Sequence, residues 1–125
     1  MAGKAGRAVE YLGHILEAIA RIERYTGDLT EAAFLGNELV QDAVVRNFEI
    51  IGEASRNLER HCPEFVAAHP QLPLIDAYEM RNALAHGYFR VDWEIVWKTI
   101  HADLPALAEQ VRALIDGQTP SSGRP

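Results

Sequence analysis

Ala8, Leu12, Ile15, Ile19 and Ile22 recur at steps of four and three, the spacing that lays apolar side chains along one stripe of a helix. A second stripe, Val44, Phe48, Ile51, Ser55 and Leu58, repeats the pattern between about Asn37 and Arg60, while Arg46, Glu49, Glu53, Arg56 and Arg60 take the other side. Two long amphipathic helices need partners to cover their stripes, and no stretch shows the alternation of a strand. The implied fold class is all-α, an antiparallel (up-down) four-helix bundle with one or two extra short helices.

The breakers divide the rest. The first helix is expected from about Lys4 to Tyr25 and stops before Gly27. Asp28-Leu29-Thr30-Glu31 has the form of a capping box, with Asp28 as N-cap and Glu31 reaching back, and predicts a short helix through Phe34. Pro63, Pro70 and Pro73 mark a loop with at most a turn or two of helix around Phe65. A further helix is expected from about Leu74 to His86, ended by Gly87. Asp92 then caps a last helix carrying Ile95, Val96, Thr99, Ile100, Leu107, Val111, Leu114 and Ile115, kinked at Pro105 where the His101 carbonyl loses its partner. One helical domain is expected over residues 1–116, with 117–125, rich in Gly, Ser and Pro, as a disordered C-terminal tail.

A chain of 125 residues can bury roughly two thirds of its unfolded surface in one core. The single cysteine, Cys62, allows no internal disulfide, which suits a reducing compartment. No apolar run approaches the ~20 residues of a membrane span, and the first residues lack the apolar centre of a signal peptide. The expectation is a soluble, cytoplasmic protein without a membrane partner. A net charge of −6 excludes nucleic-acid binding through bulk positive charge; a local basic cleft stays open.

Chemistry concentrates in Arg81-Asn82-Ala83-Leu84-Ala85-His86-Gly87-Tyr88. On a helix Asn82 and His86 lie on one face, four residues and about 40° apart. Arg81 falls on the stripe Leu74, Ala77, Arg81, Leu84, so a guanidinium interrupts a face that should point inward. It needs a carboxylate partner or a cleft open to water, and Glu53 is the candidate partner. Tyr88 follows the presumed C-cap glycine and would project back toward the helix end that carries His86.

Arg81, four residues, His86, one residue and Tyr88 resemble the Arg-x4-His-x-Tyr signature of HEPN-domain proteins. Gly52-Glu53-Ala54, Met80-Arg81-Asn82, His86-Gly87-Tyr88-Phe89, Ile95-Val96-Trp97 and Leu104-Pro105 are similar to the HepT toxin group (HepT–MntA toxin–antitoxin systems), across nearly the whole chain apart from its tail. One departure is local: Leu74 stands where this group often has a tryptophan.

The resemblance implies a metal-independent endoribonuclease, the toxin of a toxin–antitoxin pair, acting as a homodimer whose two motifs flank one cleft. It implies RNA as substrate, with tRNA the expected class, and no cofactor. Cleavage of RNA without a metal needs a group to take the 2′-hydroxyl proton and a cation for the charge on the phosphate. His86 would be general base or acid, Arg81 the phosphate clamp, and Asn82 would orient the imidazole or donate to a phosphate oxygen. The resemblance also implies an MntA-like nucleotidyltransferase antitoxin that adenylylates Tyr88, placing a bulky anion in the cleft.

Each reading has a plainer counterpart. His86 could complement a helix dipole, Arg81 could serve a structural ion pair, Asn82 could satisfy a helix end, and Glu53 could pair with Arg56 on a solvated face. Tyr78, Trp93 and Trp97 read as core or interface residues rather than base-stacking platforms. His61, Cys62 and His69 fit no common zinc spacing, and His14 and His101 have no company. The competing function is a non-catalytic HEPN bundle that acts as the binding partner of a nucleotidyltransferase.

Overall fold

A computed structural model describes residues 4–72 and 91–118, and every element among them is an α-helix. In chain order these are α1 (Lys4–Thr26), α2 (Glu31–Leu35), α3 (Glu38–His61), α4 (Pro63–Ala68), α5 (Trp93–Ala102) and α6 (Leu104–Gln118). The protein is an all-α helical bundle. The helix expected over 74–86, which the four-helix count includes, lies outside the described residues.

The two stripes meet in α1 and α3. Ala8, Leu12, Ile15, Ile19 and Ile22 are buried, as are Val44, Phe48, Ile51, Ser55 and Leu58. Two contacts fix the direction of the pair: Tyr11 stacks on His61 near one end, and Arg21 Nη1 donates to Asn47 Oδ1 (3.4 Å) near the other. Rising numbers on α1 meet falling numbers on α3, so the helices are antiparallel. α1 packs on its other flank against α6; α4 closes against α3 and α1. No helix among the described residues is long and apolar enough to cross a membrane.

The first turn departs from its expected cap. Thr30, not Asp28, is the N-cap of α2, its side chain accepting from the Ala33 N–H at 3.1 Å. The physical reason lies just upstream, where the Leu29 N–H donates to the Thr26 carbonyl (3.0 Å). That turn takes up 26–29 and leaves Asp28 exposed, two residues ahead of the cap position that reaches the first helical N–H groups. Gly27 is required here, since a Cβ would stand 2.9 Å from the Glu23 carbonyl oxygen. Asn37 caps α3 by accepting from the Val40 N–H at 3.0 Å.

The last helix is two. α5 ends at Ala102 and α6 begins at Leu104, with Asp103 between them donating to the Thr99 carbonyl (2.9 Å) and accepting from the Leu107 N–H (3.1 Å). Pro105 sits in the first turn of α6, where a missing N–H removes no helical hydrogen bond. The expected kink is therefore a restart of the helix. α6 continues to Gln118, two residues into the stretch that the sequence assigns to the tail. Trp93 and Trp97 pack on buried Phe34 of α2, with ring centroids 6.0 and 5.2 Å apart. This aromatic contact joins α5 to α2 and places both tryptophans against the core.

Candidate functional site

Arg81, Asn82, His86, Gly87 and Tyr88 fall within 73–90 and lie outside the described residues, as do Leu74, Tyr78 and Met80. The described residues hold both flanks of that stretch. Before it, buried Leu72 donates its N–H to the His69 carbonyl at 3.1 Å. After it, half-buried Val91 packs on the core, and the Asp92 carboxylate accepts from the N–H groups of Glu94 and Ile95 at 3.1 and 3.2 Å. Leu72 and Val91, the described residues on either side, thus rest on one core.

Glu53 is the candidate residue the structure places. It stands exposed on α3 between buried Gly52 and buried Ala54, and lines an open groove of about 260 Å³ between α3 and α1. Arg46, Glu49, Ile50, Ala54 and Asn57 share the α3 wall, and His14 comes from α1. The positions on α3 are one and two turns apart, so they form one strip beside the buried arc. Arg46 pairs with Glu49 at 3.7 Å, the arginine exposed and the glutamate half-buried, a solvent-accessible contact that contributes little to stability. Neither the Glu53 carboxylate nor the Asn57 amide has a hydrogen-bond or ion-pair partner among the described residues.

His14 is the residue that sequence reasoning passed over. It is exposed and meets Tyr11 edge-on, centroids 6.5 Å apart, while Tyr11 lies nearly parallel to His61 at 6.2 Å. The available signal was the spacing of Tyr11 and His14, one turn apart on the border of the apolar stripe. Only the antiparallel register of α1 and α3 brings that border opposite Glu53. His61, Cys62 and His69 go separate ways: His61 to Tyr11, buried Cys62 into the core, and His69 against Phe65. His101 packs against Trp97 with the rings tilted, its Nδ1 at 2.9 Å from the Trp97 carbonyl oxygen. Among the described residues no three His, Cys, Asp or Glu side chains gather closely enough to hold a metal ion.

The groove is therefore lined by the unengaged Glu53 carboxylate and Asn57 amide, the His14 imidazole and the aliphatic side chains of Ile50 and Ala54. Such a lining suits a small polar heterocycle better than a phosphate, since its two carboxylates outnumber its one guanidinium.

Comparison with known proteins agrees with the helical frame. The sequence matches the Ribonuclease HepT-like family over residues 15–114. A Thermococcus cleftensis protein named "Probable ribonuclease HepT" is 42% identical over 98 residues, covering 78% of this chain and 86% of its own. A Caldanaerobacter subterraneus subsp. tengcongensis protein, named as an inferred RNase, is 39% identical over 106 residues, 84% of this chain and 91% of its own. A Methanocaldococcus jannaschii protein whose name joins gamma-glutamylcyclotransferase to an inferred RNase is 42% identical over 106 residues. That match covers 85% of this chain and 46% of the longer relative, so the chain corresponds to about half of that protein. No solved structure matches the chain. With the family match running from α1 to α6 across the whole motif stretch, the chain belongs to the HepT-like ribonuclease family of HEPN proteins.

Proposed function

We propose that the chain is a metal-independent endoribonuclease acting as the toxin of a toxin–antitoxin pair, with tRNA as its expected substrate class. The observation that carries this reading is the family match over 15–114, which contains the complete Arg81, His86, Tyr88 signature. His86 takes the proton of a ribose 2′-hydroxyl, or returns one to the leaving oxygen, because an imidazole does both near neutrality. Arg81 holds the phosphate as negative charge builds on it. Asn82, one turn before His86, orients the imidazole or donates to a phosphate oxygen. Glu53 supports Arg81 as counter-ion across a cleft open to water, and Gly87 turns the chain at the helix end so that Tyr88 faces the site.

One chain supplies one motif imidazole, so the site is composite: two motifs face each other in a homodimer, and paired Arg81 side chains make a basic patch within a chain of net charge −6. An MntA-like nucleotidyltransferase antitoxin neutralises the toxin by adenylylating Tyr88, which fills the cleft with an anion and repels RNA phosphates.

Incubation of the purified protein with RNA in EDTA tests the reading. The expected result is products ending in 2′,3′-cyclic phosphate, with a loss of at least about 100-fold in His86→Ala, the scale of acid–base catalysis. Intact RNA in the presence of a folded dimer would instead assign the chain to the non-catalytic class, a bundle that partners a nucleotidyltransferase. In cells Tyr88→Phe is expected to escape the antitoxin and remain toxic, whereas an Arg81→Ala, His86→Ala double variant is inert.

A further inference from the structure

Besides Glu53, the groove between α1 and α3 holds residues that the cleavage chemistry does not use: His14, Arg46, Glu49, Ile50 and Asn57. At about 260 Å³ it lies below the ~300–1,000 Å³ of drug-sized sites, which sizes it for a single ring system. Its acceptors are the Glu53 and Glu49 carboxylates and the Asn57 amide oxygen, set beside the donors of Arg46, of the Asn57 amide and of His14; Glu49 is already paired with Arg46, which leaves Glu53 as the carboxylate without a partner among the described residues. An ionised carboxylate only accepts, and two parallel donors satisfy it best. Among the RNA bases, guanine alone presents adjacent N–H donors, N1–H and N2–H, on its pairing edge. Adenine and cytosine set an acceptor beside their amino group, and uracil flanks its single N–H with two carbonyls. His14 brings an aromatic ring to the lining, the kind of group on which unstacked bases pack, and Ile50 and Ala54 bring apolar surface.

We propose that this groove is a base subsite that takes one unpaired guanine of a single-stranded RNA, Glu53 accepting from N1–H and N2–H and His14 packing on the ring. The assignment rests on the ribonuclease reading for its source of guanine. It places the phosphates outside the groove, where the two carboxylates do not meet them. A carboxylate has acceptor sites enough to serve both a base edge and the Arg81 guanidinium. Selectivity then comes from one unpaired base rather than from a long basic track, in keeping with the chain's net charge of −6.

The test uses the intact wild-type protein and 2′-O-methyl oligouridylates, which cannot be cleaved, carrying one central guanosine, inosine or adenosine. Fluorescence anisotropy is expected to give guanosine about 10-fold tighter binding than adenosine, with inosine between them because it lacks N2–H. Glu53→Gln brings guanosine and adenosine within about twofold, and His14→Ala weakens all three by a similar factor of about 5 or more. Equal binding of the three oligonucleotides, or a guanosine preference that survives Glu53→Gln, overturns the subsite. Its failure is distinct from that of the ribonuclease reading. Cleavage of unmodified RNA without any base preference refutes the subsite alone. Guanosine-selective binding by a chain that leaves unmodified RNA intact refutes the nuclease and supports the subsite.

Discussion

The two faces of α3 treat polar side chains in opposite ways. On the buried arc, Gln41 Nε2 donates to the carbonyls of Phe34 and Leu35 (2.9 and 3.0 Å), Asn47 Nδ2 donates to the Ala43 carbonyl (2.9 Å), and Ser55 Oγ donates to the Ile51 carbonyl (2.7 Å). On the strip facing the groove, Glu53 and Asn57 have no such partner among the described residues. A buried polar group without a hydrogen bond costs about 1–3 kcal/mol, so the inner face cannot afford loose ends. The outer strip keeps its hydrogen-bonding capacity unspent on the fold, as a ligand-binding surface requires.

Removing apolar bulk from the inner face has the largest expected effect. Phe48 is 2% exposed and sits between the Val44 and Ile51 turns of the stripe. Phe48→Ala is expected to cost about 3–5 kcal/mol by urea denaturation, a large share of the 5–15 kcal/mol of a typical domain. A loss below about 1.5 kcal/mol would mean that α3 does not anchor the bundle.

Gln41→Glu tests the polar half of the same face. The side chain keeps its size but can no longer donate to the α2 carbonyls, and it brings a charge to a position 7% exposed. The expected destabilisation is about 1–3 kcal/mol, together with faster amide exchange in α2, which rests on these bonds and on the Phe34 ring. If stability is unchanged, the inner polar groups are ornamental and the contrast between the faces disappears.

How far the chain explains itself differs between these regions for physical reasons. α1 and α3 are legible because a period of 3.6 sustained over about four turns leaves little choice of face. The start of α2 is less so: Asp28 and Thr30 are both good N-caps, and only the turn closed by Leu29 and Thr26 decides between them. Pro105 announces an interruption, but whether the helix bends or restarts depends on Asp103 bridging Thr99 and Leu107. Glu53 was legible as an outward residue of α3, while its groove was not, because His14 is 39 positions away along the chain and reaches Glu53 only through the register of two packed helices. The roles of Arg81, Asn82, His86 and Tyr88 come from family likeness, since local spacing alone gives a shared helix face and no chemistry.

Glu53→Gln mirrors the Gln41 swap on the opposite face of the same helix and carries the smallest expected change in stability. An exposed carboxylate engaged only across water contributes little to folding, so the shift is expected within about 0.5 kcal/mol in the same urea titration. A loss of about 3 kcal/mol or more would identify a desolvated ion pair broken at one end. That outcome would make Glu53 a structural anchor for Arg81 and would assign the groove's free acceptors to the fold. A near-neutral result leaves the carboxylate available to RNA. It also allows a change in this variant's preference for guanosine over adenosine to be read at the groove rather than in the fold, because the helix that presents the residue is held by its other face.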